Sequence, residues 1–343
     1  MAAGLLTGLL VSLLALAGCQ SGGMRIDEQA AIDHYVAGQI KLEDGDKAAA
    51  LAELQAAVQA NPNLSVAYEA AGDIYRKSGD NENARDSYVA ACNTNRYAFR
   101  PHYNLGVTYQ KLAEKARGGS DMEQYFASLR DAVEVYIRAI TIKPEDFDAN
   151  VNLSACYFQL GKYNQAEQYC NAAIKIKADS PQAWSNLGII YDAQNRLYDA
   201  VRAYKESLEL DTNQPALLLN LGSTYMRQNR PKDAIGAFEQ AAALEPENAM
   251  PWEQIGLCNF NAQDLPAALA AYEKAAQISP ASAAAYRGIG VVRMCQFLKD
   301  QSNRDLCQKG LDAWNQSLEL RSDQDDLRKL VEKYTPRLNP PKL

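Results

Sequence analysis

The chain has 343 residues, 47% of them hydrophobic, and a formal net charge of −7. That balance argues against nucleic acid as a partner, which calls for a basic face, and against adhesion to anionic lipid by charge alone. Length alone would suggest two domains, but an internal repeat overrides that expectation.

In chain order, residues 2–18 come first, an uncharged and mostly apolar run that ends at Leu16-Ala17-Gly18-Cys19. The run is short and rich in Ala and Gly for a membrane-spanning helix. Its shape is that of a secretory h-region ending in small residues. Leu16-Ala17-Gly18-Cys19 also resembles the lipobox of bacterial lipoproteins. The resemblance implies cleavage before Cys19, a thioether-linked diacylglycerol on its sulfur and an acylated amine. Residues 1–18 are then a signal peptide, and 19–27 the lipidated cysteine and a short tether. Several acyl chains anchor stably where one binds marginally, so the expected address is a membrane. Gln20 rather than Asp after the cysteine implies the outer membrane, facing the periplasm. An uncleaved anchor or an unmodified secretory signal is the other reading. No Lys or Arg precedes Cys19, the first cation being Arg25, which departs from the charged leader of such signals. From Ser21 to about Asp27 the tether reaches only about 20–25 Å when extended.

Beyond it, small residues recur at Gly38, Gly72, Gly106, Ser154, Gly188, Gly222, Gly256 and Gly290, every step but one being 34 residues. A second small residue follows 12 later in the regular units, as at Ala84, Ala166 and Ala234, and four beyond it comes a bulkier side chain, as at Tyr88, Cys170 and Phe238. The physical reading is a pair of antiparallel helices whose backbones approach at the small residues. The pattern resembles the tetratricopeptide repeat, and Ala183-Trp184-Ser185-Asn186-Leu187-Gly188-Ile189-Ile190-Tyr191 is close to its consensus first helix. The expected fold is all-α, an α-solenoid (a right-handed superhelix) held by nearest-neighbour stacking. Its eight units are 31–64, 65–98, 99–146, 147–180, 181–214, 215–248, 249–282 and 283–321.

Two units are long. In the third, 26 residues instead of 12 separate Gly106 from Ala132, so both helices are expected to grow by about seven residues, roughly 10 Å. Ser120 with Glu123 and Ser302 with Asp305 read as capping boxes. A capping helix over 322–338, with Leu327, Leu330, Val331 and Tyr334 on one stripe, closes the array, and 339–343 form a tail.

Catalysis is not indicated. His34 and His102 occupy a repeat slot filled elsewhere by Tyr68, Trp184 and Trp252, which makes them packing residues. No Cys or His pair has metal spacing, no phosphate loop or nucleophile elbow occurs, and neither a cofactor nor a small-molecule substrate is expected. Tyr75, Tyr109, Tyr157, Tyr191 and Tyr225 share one repeat position and read as a core stripe. Cys295 and Cys307 fall at nearly the same height of the last hairpin if Gly290 faces Gly310. That height permits a disulfide, but spacing leaves open whether their Cβ atoms face each other.

The sharpest binding feature is a line of amides two residues before the small positions: Asn104, Asn152, Asn186, Asn220 and then Gln254. An amide both donates and accepts, so it pairs with peptide backbone irrespective of side chains. The array resembles the asparagine ladder of the O-GlcNAc transferase repeat region, which holds extended polypeptide; Asn is also common here in the family consensus, and both accounts stand. Phe158, Leu219, Met226, Leu257, Phe260 and Met294 are expected on the same groove, with a basic patch of Arg76, Lys77, Arg100 and Lys111 towards its N-terminal half. The expected function is a lipid-anchored envelope scaffold that binds a protein or extended peptide, as in pilus or secretion assembly or as an adaptor for cell-wall enzymes. The alternative is an assembly subunit using its convex face and long hairpins; least favoured is the recognition part of an enzyme.

Overall fold

A computed structural model describes residues 26–338, among which there are 17 α-helices and no strand. The apolar run and Cys19 lie outside the described residues, as does the tail from 339. The chain divides into two compact units between Pro144 and Glu145.

The first unit holds three hairpins. They pair α1 (Glu28–Glu43) with α2 (Lys47–Ala60), α3 (Ser65–Lys77) with α4 (Asn81–Thr94), and α5 (Phe99–Gly118) with α6 (Met122–Ile142). The second unit continues with α7 (Phe147–Gln159) and α8 (Tyr163–Ile176), α9 (Pro181–Ala193) and α10 (Leu197–Leu210), and α11 (Pro215–Arg227) and α12 (Pro231–Leu244). It ends with α13 (Met250–Asn261) and α14 (Leu265–Ile278), α15 (Ala283–Lys299) and α16 (Arg304–Leu320), and a last helix α17 (Asp325–Leu338). Within each unit every second helix also packs on the first helix of the next hairpin.

Local chemistry sets these boundaries. Asp46, Asp80, Asp121 and Asp264 each stand before a second helix and accept the backbone N–H three residues on, at 3.0–3.2 Å. These caps satisfy otherwise orphaned donors. In every hairpin but the last, the turn between the two helices holds one residue in the left-handed region. Gly45, Gly79 and Gly161 supply it, and Asn195 and Asn229 do so at φ 60° and 58°, the two residue types for which that conformation is cheapest.

The spacing of small and bulky residues has a direct steric cause. A Cβ added at Gly222 would lie 2.4 Å from Cε1 of Phe238, and one at Gly188 would lie 2.4 Å from the Tyr204 ring. Those rings are fully buried, so the glycine is the slot each ring fills. The exception follows the same rule. Where the small residue is Ser154, the bulky position holds Cys170, which is fully buried, and Ser154 Oγ donates to Ala166 O at 2.8 Å. A second periodic contact ties helix ends: the Arg196 and Arg230 guanidiniums lie 4.2 and 4.6 Å from the centroids of Tyr191 and Tyr225, cation–π geometry.

The third hairpin is lengthened as expected, α5 having 20 residues and α6 21, against 13 and 14 in α3 and α4. Its turn differs from the expected capping box. Ser120 takes the left-handed turn position at φ 62°, and Asp121 is the cap, accepting from Gln124 N. In the last hairpin Ser302 donates to Asp300 Oδ1, and Asn303 caps α16. Gly290 does face Gly310, whose Cβ would lie 3.4 Å from Gly290 O. The disulfide considered between Cys295 and Cys307 is nevertheless not formed. Cys295 packs against the cluster of Leu265, Leu269, Tyr272 and Val292, whereas Cys307 sits with Met294, Phe297 and Trp314. The two cysteines share a height but point into different clusters. Of the two histidines, His102 is buried as expected, but His34 is not a packing residue. Its side chain is 44% exposed and Nδ1 lies 2.7 Å from Glu53 Oε2, because no earlier hairpin among the described residues covers α1.

Candidate binding groove

In the second unit, first helices touch directly, α7 with α9 and α9 with α11. Their ends are fixed by a small network. Thr224 Oγ1 donates to Asp192 Oδ1 at 2.8 Å, and Arg227 pairs with the same carboxylate and with Asn195 Oδ1. The position two residues before each small residue faces away from the core. Asn186 and Gln254 are half-buried and Asn220 is exposed. Among the described residues their side-chain amides make no hydrogen bond, so donor and acceptor stay available to a partner backbone.

Beside Asn186 lies an apolar slot of about 110 Å³ between α7 and α9, lined by Ser154, Ala155, Phe158, Ile189 and Ile190. Ser154 and Ala155 are small, which opens it; the half-buried Phe158 ring, 5.6 Å from Tyr163, forms one wall. An apolar cavity on the order of 150 Å³ takes a benzene-sized group, so this slot matches one aliphatic side chain. Further along, Leu257 is 41% exposed, and Leu219, Met226 and Phe260 are half-buried. Met294 is a correction: at 2% exposure it belongs to the core around Trp314, not to the groove.

The amides of the other rungs are differently placed. Asn152 has a partner within the fold. Asn104, in the first unit, donates to Asp73 Oδ1 at 3.2 Å. Asp73 is a hub there: Tyr88 Oη donates to it at 2.5 Å, and Arg76 and Arg100 lie 3.6 and 3.5 Å away. Arg100 also reaches Glu69 at 3.1 Å, and Lys111 pairs with Glu114 at 2.8 Å. Arg76, Arg100 and Lys111 of the expected basic patch are therefore charge-compensated, whereas Lys77 has no ion pair among the described residues. Sequence reasoning missed the compensation because each partner acid sits about one repeat earlier or on the adjoining turn.

Three thiols are held in their inert form. Burial pushes Cys92 and Cys170 up to about 12 and Cys258 to about 11, so the nucleophilic thiolate is scarce near neutral pH.

Family models described as tetratricopeptide repeats match residues 72–112, 128–188, 181–213 and 219–283. The chain is a tetratricopeptide-repeat protein. Its hairpins, glycine slots and left-handed turns are that repeat's architecture. A tetratricopeptide-repeat protein from Parabacteroides merdae is similar to this tetratricopeptide-repeat protein over 90% of the present chain and 99% of its own, at 16% identity and a TM-score of 0.50. PilF of Pseudomonas aeruginosa matches 64% of the chain and 94% of its own, at 18% identity and 0.48. YrrB, a repeat protein described as having an unusual peptide-binding site, matches 59% and 99%, at 19% and 0.47. These likenesses are of fold alone. No curated protein sequence matches the tetratricopeptide-repeat chain. The fold supports a protein-interaction scaffold.

Proposed function

We propose that this tetratricopeptide-repeat protein is a non-catalytic, lipid-anchored scaffold of the bacterial cell envelope. It holds an extended segment of another protein on the first helices of residues 145–343. The observation that carries this reading is the uncommitted amide of Asn186 at the rim of the apolar slot beside Phe158. Backbone pairing to Asn186, Asn220 and Gln254 gives sequence-tolerant grip, and the slot selects an aliphatic side chain. Replacing all three amides by Ala and repeating an envelope pull-down tests it: the retained partner is expected to be lost, and an unchanged partner set removes the amides from the mechanism.

The address rests on Leu16-Ala17-Gly18-Cys19. Acylation at Cys19 places the repeats within a short reach of the outer membrane, on its periplasmic side. Mass spectrometry of the purified N-terminus is expected to show a chain that begins at a diacylglyceryl-modified Cys19. An intact Met1 or an unmodified Cys19 would overturn the anchor without touching the groove.

A further inference from the structure

The groove on the first helices leaves a larger cavity of the first unit unused. Helices α4 and α6 both flank α5, and between them opens a cleft of about 450 Å³. His102, Leu105 and Tyr109 of α5 line it, with Val89 and Cys92 of α4 and Val135 of α6 adding further apolar surface. The remaining lining is charged and sorted by sign. Asp131 and Glu134 stand one turn apart on α6; Arg138 follows one turn later, and Arg96 sits just beyond the end of α4.

These charges are not spent inside the fold. Among the described residues none of the four side chains makes an ion pair or a hydrogen bond, and Arg85, whose charge also acts on Asp131, is paired with Asp86 at 2.8 Å. Burial first, and Glu134 second, push the Asp131 carboxyl up, and Arg130 and Arg85 offset part of that rise. His102 also lines the cleft; it is 6% exposed, and its Nδ1 lies 2.8 Å from Ala98 O.

Along α6, residues 131 to 138 rise about 10 Å, and three residues of extended chain span a similar distance of about 10 Å. We propose that the cleft between α4 and α6 is a second peptide site. It takes an extended segment whose Lys or Arg side chain sits on Asp131 and Glu134, and whose Asp or Glu carboxylate, three residues away, sits on Arg96 and Arg138. The intervening apolar residues lie over Val89, Leu105 and Val135. This site uses second helices and is separate from the amide groove, so the two can hold different parts of one partner.

Calorimetric titration of the full chain with the blocked hexapeptide acetyl-Ala-Lys-Val-Ala-Glu-Ala-amide tests this, with its Gln-for-Lys and Gln-for-Glu analogue as the neutral control. The charged peptide is expected to bind and the neutral one to bind at least about tenfold more weakly, the loss of a charge-assisted hydrogen bond. Asp131→Asn with Glu134→Gln, and separately Arg96→Gln with Arg138→Gln, are expected to weaken the charged peptide to a similar degree. Tyr198→Asp, at an 80% exposed residue of α10 that lines neither site, should leave it unchanged. Thermal melts of each variant that match the parent exclude unfolding, which exposed substitutions of this kind rarely cause. No binding of the charged peptide at millimolar concentration, equal binding of the neutral one, or parent-like binding of the charged peptide by both charge variants would overturn the second site.

Discussion

Trp314→Ala is expected to destabilise the protein by about 4 kcal/mol, the range for truncating a large buried aromatic. Trp314 is 2% exposed and closes the last hairpin. Its indole fills the slot above Gly290, where a Cβ would lie 2.2 Å from Cδ1, and its centroid is 6.2 Å from that of Tyr334 on α17. Met294, Phe297, Leu311 and the fully buried Leu327 complete the cluster. Because repeat arrays are stabilised by nearest neighbours, the loss should concentrate at this end. Hydrogen exchange is expected to show α15–α17 opening before the other hairpins. The indole Nε1 is buried without a hydrogen-bond partner, so Trp314→Phe keeps most of the packing, removes that orphan donor and should cost far less. A loss under about 1 kcal/mol for the Ala variant would mean that the cluster relaxes into the cavity and α17 is held by other contacts.

Gly222→Val is the second large effect, about 2–3 kcal/mol of destabilisation by chemical denaturation. The Val Cβ would enter within 2.4 Å of a Phe238 ring that is fully buried and has nowhere to move. The better helix propensity of a non-glycine residue offsets less than about 1 kcal/mol of that. Gly236 is the internal control, since a Cβ there meets nothing within 4 Å; Gly236→Ala is expected to be neutral or stabilising by up to about 1 kcal/mol. Pairing Gly222→Val with Phe238→Leu should recover part of the loss, because residues in contact couple. Strict additivity would place the clash elsewhere.

Both effects trace to the feature that made the fold readable. A 34-residue interval of small residues with a bulky one sixteen later is the sequence image of a ring seated on a glycine, so helix pairing and hairpin register were legible. The Gly290–Gly310 contact shows how far that register reached, and Cys295 and Cys307 show where it stopped. Spacing sets the height of a residue along a hairpin, while its direction depends on which neighbouring helix lies there. The amide positions were legible for the same reason, but their availability was not. Asn104 is engaged by Asp73 from a position 31 residues earlier, and Asn186 is not. The neutralised arginines follow the same logic: Arg100 meets Glu69 across 31 residues, a pairing visible only once adjacent first helices are known to touch. The apolar slot and the α4–α6 cleft are products of lateral packing distance, which no residue pattern encodes.

The equilibrium affinity of the pulled-down partner for three forms of the full chain bears most directly on the central claim. They are the parent, the Asn186→Ala, Asn220→Ala and Gln254→Ala triple variant, and Tyr198→Asp, which alters an 80% exposed residue of second helix α10. The triple variant is expected to bind at least about tenfold more weakly, one or more net hydrogen bonds to a peptide backbone having been lost, while Tyr198→Asp binds like the parent. Parent-like affinity in the triple variant, together with a loss in Tyr198→Asp, would contradict the groove and move the partner to the second helices.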